Sequence, residues 1–277
     1  MVHLKDLSNL DALIIRRTKI SNGDSNLFKI RMSDAKLLRD AVTAISTLID
    51  EGTFVIGAEG IKLRAMDPSR VAMVDFTMQK TAFDEYASDQ ETKICLNLGE
   101  LLKLLKRAGK DEAVEIFLDE STGQFVITIR GKYVRTFRMP TLEASEEEQG
   151  LPKITFNAKV TLTTDGLRQS LEDVALVSDH VRMETDGEKL AMNAKGDIMG
   201  ANIELKKGSD ALLSVEVTEA SKSTFPLSYL SEIVKAAVAT SDIVTLEFSN
   251  DMPIRLDFKQ TYDGTLVYYL APRIEVE

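Results

Sequence analysis

The sequence predicts an α+β fold of two similar halves, each built from antiparallel β-strands and two helices. Three observations predict it. A unit of strand, helix and several alternating strands recurs four times, at a period of about 65 residues. The helical stretches are amphipathic, so each must cover one face of another layer. Residues 140–152 (PTLEASEEEQGLP) hold two prolines, an acidic cluster and no periodicity, which marks a boundary between the second and third units. Antiparallel sheets with one wet side need a partner layer on the other. The expected arrangement is therefore a curved sheet in each half, with four helices on a common side of the chain. The divisions are an N-terminal extension (1–26), a first domain (27–139), a connector (140–152) and a second domain (153–277).

The elements follow in order. LFKIRM (27–32) alternates as a strand, and Ser33 is placed to cap a helix from Asp34 to Leu48. Residues 53–66 read as a hairpin through Ala58, Glu59 and Gly60, and 71–78 as a strand after the Asp67-Pro68-Ser69 turn. The second unit is strand 93–98, a helix that Gly109 can end, and strands 113–119, 124–130 and 132–139. The third is strand 153–159, a helix from Thr164 to Val177, and strands 181–186, 188–194 and 199–207. The last comprises strands 211–217 and 222–226, helix 227–239, and strands 242–248, 254–259 and 264–271. Within the final strand, Tyr268 and Tyr269 alternate, one facing in and one out.

The chain has 277 residues, 44% apolar and 28% charged, with a net charge of -10. That composition suits a globular protein with one large or two ordinary cores. No apolar run approaches a membrane span and the first residues lack the order of a secretory signal, so an intracellular protein is expected. Cys95 is the single cysteine, which excludes an internal disulfide and a thiolate metal cluster. The acidic excess argues against a protein that coats nucleic acid, but salt screening leaves room for a local basic surface.

Leu98–Lys110, LGELLKLLKRAGK, supplies such a surface. Leu101, Leu102, Leu105 and Ala108 form one stripe, while Lys103, Lys106, Arg107 and Lys110 share the opposite side with Glu100 as the only acid. The first helix exposes Lys36 and Arg39, and the fourth Lys235, with Glu232 one turn earlier. The third sets Arg168 and Gln169 beside Glu172 and Asp173, which reads equally well as a solvated face of mixed sign. Basic side chains on a common helical surface suit a phosphate backbone, and no base-reading motif accompanies them. A loose hold on phosphate fits a protein that surrounds duplex and slides.

LRAMDPSRVAMVDFTM (63–78), FDEY (83–86), NLGELLKLLKRAG (97–109) and the YYLAP-R-IE segment (268–275) resemble the archaeal and eukaryotic sliding clamps of the proliferating cell nuclear antigen family. The resemblance covers residues 27–277. It implies three subunits closing head to tail into a homotrimeric ring of six similar domains, with helices lining the hole. DNA-facing positions map to Arg39, Lys103, Lys106 and Lys235, to which Lys36, Arg107 and Lys110 are added. Glu172 stands where a basic residue is expected. A pocket for partner peptides maps to Met66, Arg70, Leu142, Pro253, Tyr269, Leu270, Ala271 and Pro272. The subunit interface maps to Gln124, Val126, Thr128 and Arg130 on one edge strand and Ala201, Ile203, Leu205 and Lys207 on the other. Implied partners are double-stranded DNA, a DNA polymerase, a clamp loader, a flap endonuclease and a DNA ligase. The setting would be the cytoplasm and nucleoid of an archaeon or the nucleus of a eukaryote.

Two other readings stay open at the level of sequence. A clamp-like checkpoint subunit, or one member of a mixed ring, would share the fold and channel. A carboxylate-dependent metal hydrolase would use acids such as Asp67, Asp75, Glu115, Asp119 and Glu247, with His180 beside Asp179 as a further candidate. These acids lie in alternating strands or turns without ligand spacing. No nucleophile pairs with the histidine, and GAEG and AKGD lack the spacing of a phosphate loop. No catalytic residue, cofactor or metal is therefore expected.

Overall fold

The computed structural model describes residues 26–88, 90–144 and 149–273. The N-terminal extension apart from Asn26, most of the acidic connector cluster and the last four residues lie outside the described residues.

Among these residues there are eighteen strands and four α-helices. The helices are α1 (Lys36–Ile45), α2 (Leu98–Leu105), α3 (Thr164–Ala175) and α4 (Leu227–Ala237). Strands β1 (Asn26–Met32), β5 (Glu85–Ser88), β7 (Ala113–Asp119), β8 (Gln124–Arg130) and β9 (Val134–Pro140) form one sheet in the order β5-β1-β7-β8-β9. In the second half, β11 (His180–Thr185), β12 (Lys189–Lys195), β13 (Gly200–Lys206) and β15 (Ser221–Pro226) form another, β13-β12-β11-β15.

The third sheet joins the halves. From the first half it takes β2 (Glu51–Gly57), β3 (Gly60–Met66), β4 (Ala72–Gln79) and β6 (Thr92–Asn97). From the second it takes β10 (Ala158–Thr163), β14 (Leu212–Val217), β16 (Ile243–Phe248), β17 (Ile254–Phe258) and β18 (Gly264–Leu270). Its order is β14-β10-β16-β17-β18-β4-β3-β2-β6, so antiparallel pairing of β18 with β4 carries one ladder across both halves. Tight packing makes the β2–β3 turn specific. Gly60 has φ +140, and a Cβ there would lie 2.2 Å from the Met78 carbonyl oxygen.

Alternation decides which side faces the helices. Val74, Phe76 and Met78 of β4 are buried, whereas Asp75 and Thr77 point to the other face. Tyr268 is fully buried, edge-on to Phe258 at 5.9 Å, and Tyr269 points out. On the inner side α1 packs against both α2 and α4, and α3 packs against α4, giving the row α2-α1-α4-α3. Leu38, Val42, Leu101, Leu105, Leu167, Leu171, Leu230 and Val234 anchor the helices in one apolar cluster with the sheets. Burying each such side chain contributes about 1.5–3 kcal/mol.

Several boundaries differ from the expectation, each for a local reason. Ser33 does not cap α1; the Asp34 carboxylate accepts from the Lys36 N–H at 2.8 Å and the helix begins there. Helix α2 stops at Leu105, and the residue beyond it with positive φ is Asp111 at 66°, not Gly109. The stretch 153–159 is mostly a lead-in. Strand β10 runs instead to Thr163, whose hydroxyl caps α3 by accepting from the Gly166 N–H at 3.2 Å, so strand and helix abut.

The largest correction concerns an edge. β8 is flanked by β7 and β9, and Val126 and Thr128 are buried. Gln124, Val126, Thr128 and Arg130 therefore pair within their own sheet, and the free edge is β9. On the other side β13 is an edge as expected, and it carries Ala201, Ile203 and Leu205. Lys207 lies one residue past its end.

Candidate nucleic-acid face and partner pocket

The basic residues sit on the helix row or at its ends. Asn97 caps α2 by accepting from the Glu100 N–H at 2.9 Å, which starts the helix so that Lys103 falls on its exposed side. Lys106, Arg107 and Lys110 follow at the C-terminal end, where the helix dipole favours cations. All four side chains are exposed. Lys103 is paired with Glu100 at 2.6 Å, Lys36 with Asp40 at 2.5 Å, and Arg39 with Asp40 at 3.5 Å. Among the described residues, Lys106, Arg107, Lys110 and Lys235 have no acidic partner within 4 Å, so their charge is available to a ligand.

Helix α3 differs. Its Arg168 bridges Asp165 at 2.7 Å and Glu172 at 2.7 Å. Those two hydrogen-bonded carboxylates, Asp165 first, raise its pKa and hold the guanidinium against its own helix. Among the described residues the unpaired basic charge of the helix row thus lies at the C-terminal end of α2 and at Lys235 of α4, while α3 presents mixed charge.

The opposite face of the nine-stranded sheet carries the second feature. The connector starts by pairing with β6, the Leu142 N–H donating to the Cys95 carbonyl at 2.8 Å. It returns over β3, where Arg64 donates to the Gln149 carbonyl at 3.1 Å. Beneath it lies a cavity of about 670 Å³, polar along Lys62, Arg64 and Asp75 and ending at Met66 and Arg70. From that end an apolar row crosses the sheet. Met66 pairs with Met73, Met73 with Tyr269, and Tyr269 with Arg255. Pro253, just before β17, and the half-buried Ala271 and Pro272 stand at the same end.

A turn of unusual geometry organises this site. Asp67 is 5% exposed; its Oδ1 accepts from the Val71 and Ala72 N–H groups at 2.7 Å each, and its Oδ2 from the Ser69 N–H at 3.0 Å. Burial acts to raise the carboxyl pKa, but these bonds and one from Tyr229 outweigh it and hold the pKa below the usual carboxylate range. Arg70 sits at φ 58°, a region that costs a non-glycine residue about 1–2 kcal/mol. The Ala271 N–H donates to the Val71 carbonyl at 2.9 Å, tying the turn to the other half.

Of the expected pocket residues, Met66, Arg70, Leu142, Pro253, Tyr269, Ala271 and Pro272 gather around the connector or the adjoining end of the sheet. Leu270 does not. It is fully buried on the core side, because Tyr269 points out and strand parity sends its neighbour in. Met73, absent from the expected set, also lies in this row. An apolar Met73 on the same strand parity as Asp75 and Thr77 was the available signal.

The carboxylates considered for catalysis have structural partners. Asp75 pairs with Arg64 at 2.8 Å, Glu115 lies 3.6 Å from both Lys29 and Arg130, Asp119 accepts from Ser121, and Glu247 binds Arg255. Asp179 is hydrogen-bonded to His180. Among the described residues no three His, Cys, Asp or Glu side chains converge as a metal-binding group.

Two similar halves, one helical face and a pocket beneath the connector define a protein of the DNA-clamp fold. Family models for the proliferating cell nuclear antigen N-terminal and C-terminal domains match residues 27–144 and 150–273. The chain belongs to the proliferating cell nuclear antigen family. The DNA polymerase sliding clamp of Thermofilum pendens is 35% identical over 249 residues, covering 90% of this chain and 100% of that protein. The crystal structure of the antigen from Thermococcus kodakaraensis superimposes with a TM-score of 0.84 at 26% identity, over 89% of this chain and 100% of that one. The PCNA2–PCNA3 complex of Sulfolobus tokodaii gives a TM-score of 0.81 at 27% identity, again over 89% and 100%.

Proposed function

We propose that the protein is a DNA sliding clamp, a processivity factor that encloses duplex on its helical face and tethers replication and repair enzymes through the outer pocket. The observation that carries this reading is the unbroken row α2-α1-α4-α3, with its basic side chains opposite the face that holds the pocket. Contacts to phosphate are independent of base sequence, so a basic lining permits sliding. Tethering raises the local concentration of an enzyme without any chemistry by the clamp. A DNA polymerase, a clamp loader, a flap endonuclease and a DNA ligase are the partners the family implies. In an archaeal host the protein would work at the nucleoid, and in a eukaryotic one in the nucleus.

Ring closure follows from the edges. An unpaired strand offers a row of backbone donors and acceptors to another chain. The connector caps β6, and the C-terminal segment bonds β15 through the Arg273 N–H and the Thr224 carbonyl. β5 has only four residues and the remaining end strand, β14, has six, whereas β9 and β13 each have seven and lie in opposite halves. Joining β9 of one copy to β13 of the next is a head-to-tail contact, which closes by rotation. We assign the interface to this pair, with three copies completing a homotrimer.

Molecular mass measured across concentration tests the assembly. A trimer that dissociates on dilution supports it, and a monomer at high concentration that neither binds partner peptide nor stimulates a polymerase refutes it. A mixed ring has a specific motivation in the two-chain Sulfolobus tokodaii complex. That reading predicts a stable ring only after a second clamp chain is added.

A further inference from the structure

We propose that Tyr229, on the inner-face helix α4, is a positioning residue for the outer pocket: its hydroxyl holds the Asp67 carboxylate that shapes the turn from Asp67 to Ala72. The inference rests on the reading of that pocket as the partner site. Tyr229 Oη donates to Asp67 Oδ2 at 2.9 Å, and the two residues belong to different halves of the chain. Asp67 serves three backbone N–H groups of one short turn, so its orientation determines the path from Pro68 to Ala72.

That path is not one the turn's own residues prefer, since Arg70 has φ 58°. A strained turn persists only when its surroundings over-determine it. The Asp67 bonds within the turn are local. Tyr229 and the backbone of Ala271 reach it from the second half. Tyr229 is half-buried against the apolar cluster, which fixes the ring and aims the hydroxyl. Without that hydroxyl, Oδ2 keeps one donor, from Ser69, in a largely enclosed place. Hydrogen bonds to an ionised carboxylate are among the stronger ones in proteins. Met66 and Arg70, immediately before and within the turn, line the pocket, so a shift of the turn is a shift of the pocket wall.

The test is Tyr229→Phe in the full-length protein, which removes one oxygen and leaves the packed ring. Hydrogen exchange of the Val71 and Ala72 amides is measured without ligand. Binding is measured with a fluorescein-labelled amphipathic peptide carrying one aliphatic and two aromatic anchors. The expected results are exchange at those two amides accelerated about tenfold and peptide affinity weakened about tenfold, with exchange in β7 and β11 unchanged. Unchanged exchange at Val71 and Ala72 overturns the proposal, as does full peptide affinity in the variant. If the wild-type protein fails to bind the peptide, the pocket reading falls, while the exchange at those amides still decides whether Tyr229 positions the turn.

Discussion

Replacing Lys103, Lys106 and Arg107 with alanine removes three cations from one end of the helix row. Their expected contributions differ. Lys106 and Arg107 have no acidic partner among the described residues, whereas Lys103 must leave Glu100 at 2.6 Å to reach a phosphate. The variant therefore loses two or three phosphate contacts per engaged protomer. Each contact adds about 0.9 to the slope of log K against log salt, so the slope should fall by about 2 to 3. Between about 50 and 200 mM salt, the wild type should then lose about 10- to 40-fold more affinity than the variant. Fluorescence anisotropy of a labelled duplex over a salt series reads the slope directly. All three side chains are exposed, so circular dichroism and the melting temperature should stay at wild-type values. An unchanged slope with an intact fold would refute the assignment of this helix to DNA.

Two further outcomes follow from the core and the pocket turn. Leu230→Ala, at a fully buried position of α4, should lower the unfolding free energy by about 2–5 kcal/mol in denaturant titrations, and a loss below about 1 kcal/mol would contradict the packing described. The Asp67 carboxyl has a pKa below its ordinary value of 3.8, so the stability it contributes is present above that value and is lost as pH falls through the folded-state pKa. Asp67→Asn should therefore be less stable than wild type at neutral pH, with the gap closing in acid. A gap of constant size across the titration would show that the charge does not matter.

The regular layers were legible because their periodicities are strong. Leu101, Leu105 and Ala108 at helical spacing, and Val74, Phe76 and Met78 at strand spacing, are all buried as patterned. What failed was order within a sheet, which no local pattern encodes. The expected interface edge, β8, has Phe125, Val126, Ile127, Thr128 and Ile129 as a continuous buried run, as a strand covered on both faces should. β9 has exposed Val134, Thr136 and Arg138, as a strand at the open end of its sheet can.

The site divided in the same way. Lys36, Lys103, Lys106, Arg107, Lys110 and Lys235 are exposed where the helix faces put them, because a helix face is a local property, while Arg39 and Arg168 are half-buried beside acids of their own helices. The pocket depends on contacts between distant segments, such as Met73 with Tyr269 and Asp67 with Tyr229, and only the resemblance brought some of those residues together. Leu270 could have been excluded by parity alone, since adjacent strand residues cannot share a face. β5, only four residues long (EYAS), is too short to show a period of its own.

Topological enclosure is what the proposed clamp adds to simple DNA binding, and retention on circular against linear duplex measures it. The protein, with a cognate clamp loader, is placed on a nicked plasmid, washed at a salt concentration that breaks phosphate contacts, and followed after a restriction enzyme opens the circle. Retention on the closed circle and loss within minutes of linearisation are predicted. Equal retention on circle and line, or release from both in the wash, would contradict a ring around the duplex.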